Sequence, residues 1–417
     1  MKKQYLVLSI LVLAMQFAQA QFSLDGEFRP RTEYRNGYGS IIPSAEDSGF
    51  GVSTRVRLNA GYAVEAYKFY ISLQDVMVWG ENRQILPYDQ NNSFAVFQAW
   101  AEVNLGEGFS TKLGRQVLSY DDQRIFGGLD WAQQGRNHDA ALLKYNKGDF
   151  MADIGLAFNQ DYSHPTGFVS SGTGYNTTGF FSYKTMQYLY LKNVWQNFTG
   201  SLLVLNNGFQ KFDSNTEPDG VDNIQTIGTH VNYKKGDFGI AANAFLQTGD
   251  QVDNAYLLGL DLNYTATNKL NLGVGVELMS GDDNTTADTE AFAPLFGTNH
   301  KFNGFMDYFY VGNHINSIGL FDVHISADYA LNNTSSVMIK VLNFSGDKKL
   351  ASGEKSLGTE VDLVYSKTFK GYSLALGYSH MFESDGMYEL KGVSKNDAAD
   401  VQNWAWAMLV IKPKFLN

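Results

Sequence analysis

Arginine is spread unevenly along this chain. All nine arginines lie between Arg29 and Arg136, and the remaining two-thirds of the sequence has none. Arg29, Arg31 and Arg35 share odd positions with Glu27 and Glu33 over Leu24–Arg35, and Arg55 and Arg57 repeat the spacing in Val52–Tyr62. Lys112, Arg115, Arg124 and Arg136 then fall in one stretch, KLGRQVLSYDDQRIFGGLDWAQQGRNHD, from Lys112 to Asp139. A guanidinium is a planar fork of donors that matches a carboxylate, phosphate or sulfate. Two kinds of site use such a set: an enzyme's active-site loop, or a pore constriction that recognises anions.

Motifs for metal or covalent chemistry do not accompany the arginines. The seven histidines (His138, His164, His230, His300, His314, His324 and His380) include no pair at metal-binding spacing. There is no G-x-S-x-G elbow, no phosphate loop and no G-x-G-x-x-G run. Asp282-Asp283-Asn284 with Asp288 and Glu290 has the look of a calcium loop. EF-hand spacing fails there, with Ala287 at the glycine position and Ala293 at the glutamate position, so a solvated acidic loop fits better. No cofactor and no metal is implied. A hydrolase in a barrel wall, with Ser and His distant in sequence, stays as one alternative.

The elements that must position these residues are strands. Period-two alternation dominates: Leu258, Leu260, Leu262 and Tyr264 oppose Asp261 and Asn263, and five apolar residues over Leu270–Leu278 oppose Asn271, Gly273, Gly275 and Glu277. Eighteen such segments can be placed, near 24–36, 51–65, 68–79, 94–105, 109–119, 138–146, 150–160, 184–195, 198–208, 223–234, 238–248, 255–265, 269–280, 317–331, 334–345, 356–368, 372–383 and 402–415. Their connections alternate short and long. Short ones include Gly106-Glu107-Gly108 and Lys234-Lys235-Gly236-Asp237, and long ones run over 37–50, 80–93, 120–137, 161–183, 209–222, 281–316, 346–355 and 384–401. The exception is Gly249–Asn254, a short loop on the long side. An even number of strands with tight turns at one end and long loops at the other describes an all-β, antiparallel, up-and-down outer-membrane barrel. Trp79, Trp100, Trp195, Trp404 and Trp406, near strand ends, are candidates for interfacial girdles.

Composition agrees with this reading. The chain has 41 glycines, 24 tyrosines, 29 phenylalanines, 7 prolines and no cysteine, so its stability without disulfides suits a closed sheet. Met1–Ala20 has Lys2 and Lys3, an apolar run and an Ala-Gln-Ala end, the pattern of a cleaved signal peptide, which leaves 21–417 as one barrel domain. The net charge of −11 argues against nucleic acid as a partner. Membrane lipid and lipopolysaccharide are the expected surroundings, and periplasmic export or uptake partners would dock on the short turns.

An arginine facing lipid at mid-bilayer costs about 2–4 kcal/mol, so Arg29, Arg31, Arg35, Arg55 and Arg57 mark the lumen face of the first two strands. Like charges about 7 Å apart along a strand repel by about 0.6 kcal/mol in water and about 2.4 at an effective dielectric of 20. Glu27 and Glu33 offset part of this. Two readings stand together: a guanidinium ladder for a passing anionic solute, and internal pairing with acids across the lumen. Asp153, Asp261, Glu277, Asp322, Asp328, Glu360 and Asp362 are expected on lumen faces of the arginine-free part.

Gly114-Arg115-Gln116, Asp121–Gly127, Trp131, Gly135-Arg136 and Asp139-Ala140 together resemble the alginate-export family of outer-membrane porins. Lys301–Phe309, KFNGFMDYF, is similar to that family's second recurring block and contains Gly304 and Asp307. The resemblance implies an eighteen-stranded barrel whose arginine-lined, electropositive lumen passes a polyuronate. It further implies that Arg115, Arg124 and Arg136 contribute to the constriction, with Asp122 and Asp139 holding arginines in place. The solute would be an anionic small molecule or polysaccharide. The other alternative is an adhesin or structural barrel acting through its long loops.

Overall fold

Alternating segments joined by alternately short and long connections require a sheet that closes on itself, and the computed structural model has that form. The structure describes residues 21–416, apart from 83, 86–92, 160–182, 215–217, 299 and 315–316. The expected leader at 1–20, and nearly all of the expected loop at 161–183, lie outside the described residues.

The strands are β1 (Gln21–Asn36), β2 (Gly49–Ala63), β3 (Tyr67–Val78), β4 (Ala95–Gly106), β5 (Phe109–Gln116), β6 (His138–Lys147) and β7 (Phe150–Phe158). They continue with β8 (Thr185–Trp195), β9 (Phe198–Phe212), β10 (Pro218–Lys235), β11 (Phe238–Gly249), β12 (Val252–Thr267) and β13 (Leu270–Met279). The last are β14 (Leu320–Asn332), β15 (Ser335–Ser345), β16 (Ser356–Phe369), β17 (Tyr372–Glu383), β18 (Gln402–Ile411) and the short β19 (Lys414–Leu416). β1 to β18 each pair antiparallel with their sequence neighbours, and β1 closes the ring on β18. Pro413 interrupts the final strand because it has no N–H to donate. Its carbonyl accepts from Gly26 at 3.0 Å, and β19 resumes the pairing with β1 after a register shift.

All eighteen expected segments are strands. Two connections are shorter than the sequence suggested. Val252–Asn254 extend β12 and leave only residues 250–251 before it, and β9 and β10 take in most of 209–222. Among the described residues one α-helix, α1 (Asp385–Lys391), caps the long-loop end and is closed by Gly392 at φ +67°.

The two faces of the sheet are chemically opposite. Leu58, Leu113, Leu143, Leu258, Leu260 and Ile325 stand exposed outside, while Glu27, Arg29, Arg31, Glu33, Arg55 and Gln74 are buried inside. Water would favour the reverse, so the exterior suits hydrocarbon. The proposed lumen acids share this inner face: Asp153, Glu277, Asp322, Glu360 and Asp362 are buried, with Asp261 and Asp328 on the same strand faces. The tryptophan girdle needs correction. Trp79 and Trp195 are exposed outside, but Trp404 and Trp406 are buried in phase with Gln402, and Trp100 turns inward against Lys112. Position near a strand end does not decide which face a ring takes; register does.

Candidate functional site

Register brings the arginines of the first two strands into one patch, with Arg29 opposite Arg55 and Glu27 opposite Arg57. The connection 117–137 does not stay outside. It folds into the barrel and lays residues 130–133 on this patch. Arg29 donates to the carbonyls of Asp130 (2.6 Å), Ala132 (3.0 Å) and Trp131 (3.3 Å), and to Gln133 Oε1. Arg31 donates to Trp131 O at 2.8 Å and to Glu33 at 3.1 Å, with its guanidinium over the Trp131 ring. Arg55 is bound to Glu27 and to Asp130 Oδ1 at 2.8 Å, while Arg57 lies 3.5 Å from the same oxygen and stacks on Phe97. Desolvation by the surrounding protein opposes the ionisation of Asp130, whose side chain is still open to water on one side, but Arg55, Arg29 and Arg57 outweigh it and hold its pKa below the usual carboxylate value. Arg35 sits at the rim, half-exposed, paired with Glu33 and over Tyr38.

A second inward loop, 280–319, meets the first across the lumen. Gly127 N donates to Phe296 O (2.8 Å), Thr298 N to Gln123 O (2.9 Å), and the Phe126 and Phe296 rings stack at 5.6 Å. Arg124 is buried and donates to Glu277 of β13 at 2.6 Å and to Asn303 at 3.0 Å. Arg136 Nη1 donates to Gly297 O at 2.9 Å. Arg124 therefore ties both loops to the wall, and Arg136 ties one loop to the other. Asp122 does not hold a guanidinium: it accepts the Arg124 backbone N–H at 3.1 Å and the Asn243 amide at 2.6 Å.

The KFNGFMDYF block is legible in these terms. Gly304 has φ +91°, and a Cβ there would stand 2.4 Å from Glu360 Oε2. That close approach lets Met306 N donate to Glu360 at 2.8 Å. Asp307 accepts the Tyr38 hydroxyl and lies 3.6 Å from His300, whose ring stacks on Trp131 at 4.0 Å.

Arg115 is misplaced by the sequence reading. It lies on the outer face, in phase with exposed Leu113, and is paired bidentately with Asp139 at 2.8 and 2.9 Å. The long-loop end of β5, with its charge matched, makes that tolerable, since the cost of a lipid-face charge falls to about 0–1 kcal/mol near the interfaces. Asp139 does hold an arginine, but neither member lines the pore. Lys112 faces inward, 4.0 Å above the Trp100 ring.

Two clefts lie beside the inward loops. One, of about 550 Å³, lies toward the long-loop end between Arg31, Arg35, Tyr38, Phe50, Trp131 and His300. The other, of about 460 Å³, lies toward the short turns and includes Lys192, Asn232, Asp261, Asn263, Lys301, Phe302, His324 and Lys340. Lys192 and Lys340 make no hydrogen bond or ion pair with any described residue. Sequence reasoning missed these lysines and Asp130. The strand phase of β8 and β15 carried a signal for the lysines; nothing local marked Asp130.

The sequence profile of the family described as alginate export matches residues 20–399. No curated protein matches the chain. Among solved structures, OccAB4 of Acinetobacter baumannii is similar over 95% of this chain and 98% of its own, at 13% identity and a TM-score of 0.65. A BenF-like porin from Pseudomonas fluorescens Pf-5 covers 95% and 99%, at 11% identity and TM-score 0.63. OccK2 (OpdF) of Pseudomonas aeruginosa, crystallised with glucuronate, covers 95% and 98%, at 11% identity and TM-score 0.61. At such identities the likeness is one of fold.

Proposed function

The chain belongs to the alginate-export family, an outer-membrane β-barrel of Gram-negative type, and from that premise we propose that it passes carboxylated solutes by diffusion through an arginine-lined constriction. Acidic saccharides, from a single uronate to a polyuronate such as alginate, are the solute class. The observation that carries this reading is the patch of Arg29, Arg31, Arg55 and Arg57, gathered on the inner face where the lumen is narrowed by loop 117–137.

A wall needs only to be polar to carry water, and amides would do that without mutual repulsion. Guanidinium groups in a narrowed, partly desolvated passage add selective attraction for carboxylates. The two clefts would hold a solute on either side of the narrowing, with Arg31 and Arg35 facing it at one end and Lys192 and Lys340 at the other. A barrel of the same fold was crystallised with glucuronate, which recommends that acid as a probe. In reconstituted proteoliposomes, entrapped labelled glucuronate should leave faster than glucose, its neutral counterpart of similar size. Equal rates, or faster glucose, would contradict the proposal.

A further inference from the structure

The arginine patch already holds a carboxylate, and that carboxylate belongs to the protein. Asp130 Oδ1 is 2.8 Å from Arg55 and 3.5 Å from Arg57, and Oδ2 is 3.8 Å from Arg29. Three guanidinium groups surround one acid. The Asp130 side chain is nevertheless 68% exposed, while those of Arg29 and Arg55 are 5% and 0% exposed. So the cradle is part of the wall, and its occupant reaches it from the water side.

Two further observations mark the cradle as a ligand site and not a plain structural ion pair. Arg57 Nη2 is buried and has no hydrogen-bond partner, so the cradle has a donor to spare. The segment that delivers Asp130 follows Leu129, held at φ +50°, a conformation that a leucine adopts only at some cost. The loop is bent at that cost and seats one carboxylate among three arginines.

We propose that Arg29, Arg55 and Arg57 form a carboxylate-binding subsite in which Asp130 is a tethered stand-in, and that an acidic solute passes by taking its place. This rests on the reading that the solute is anionic, and adds to it that passage is an exchange. No net charge need be desolvated without a partner, because one carboxylate leaves the cradle as the next arrives. The exchange also lets a tight site release its ligand, since Asp130 is always at hand to return.

The test uses sodium glucuronate and the full-length barrel in planar bilayers, where opening of channels itself reports folding. Asp130→Asn removes the competing charge and keeps the side chain's size. A site mostly filled by its own loop binds solute with an affinity reduced by the fraction left open, so the concentration of glucuronate that half-blocks the current should fall by about tenfold or more in the variant. Asp130→Glu should stay near the wild type, and Arg55→Gln should raise the half-blocking concentration in either background. An unchanged or higher value for Asp130→Asn overturns the exchange. If that value is unchanged while the wild type still prefers anions in a salt gradient, the exchange alone falls. If the wild type shows no anion preference, the reading beneath it falls too.

Discussion

Arg124 crosses from one inward loop to the barrel wall, and Glu277 meets it with both side chains out of water. Removing one member of such a pair leaves the other charge buried alone, which costs about 3–5 kcal/mol. Arg124→Met should therefore lower the stability of the reconstituted barrel by that amount in denaturant titration, and adding Glu277→Gln should restore most of it. A loss below about 1 kcal/mol for the single variant would show that water reaches the pair, as it does for surface ion pairs. Asp130 governs the other loop contact through pH. Its folded pKa lies below the ordinary 3.8. Its attachment therefore contributes stability above that ordinary value, and the contribution is lost as pH falls through the lower, folded one. Protease nicking of loop 117–137 should stay slow at about pH 5 and quicken only well below pH 4. Nicking that already quickens at about pH 6 would mean that another group holds the loop.

At the scale of elements, two loops decide what eighteen strands cannot. Loop 280–319 meets the wall at several points, and at one of them Gly304 permits a backbone approach to Glu360 that a Cβ would block. Gly304→Ala should destabilise the folded barrel by more than about 1 kcal/mol, read from the same denaturant titration. A neutral result would mean that the loop docks elsewhere. Strand positions were legible because alternation is local, clean in about two-thirds of the segments and ambiguous around 75–79, 114–118 and 186–206. Loop insertion was not, because the partners are far apart in sequence: Arg29 and Gln133 stand 104 residues apart, Arg124 and Asn303 stand 179. The phase of single residues was legible only in part. The register runs unbroken through Gly114 on both neighbouring strands, so Leu113 and Arg115 share the outward face, although the family resemblance implied that Arg115 turns inward.

The whole molecule carries a net charge of −11, yet Arg29, Arg31, Arg55 and Arg57 gather on the inner face of β1 and β2. Much of that positive charge is matched, by Glu27, Glu33, Asp130 and Glu277. What a passing ion meets is therefore the balance between the inner-face cations, Lys192 and Lys340 included, and the inner-face acids Asp153, Asp261, Asp322, Glu360 and Asp362. A positive surplus is expected at the patch on β1 and β2. Reversal potential across a KCl gradient measures that balance directly. The wild-type channel should prefer chloride, and Arg29, Arg31, Arg55 and Arg57 changed together to Gln should shift the potential toward potassium. A wild type that prefers potassium, or a fourfold variant whose potential does not move, would contradict the account and leave the arginines as scaffolding for the loop.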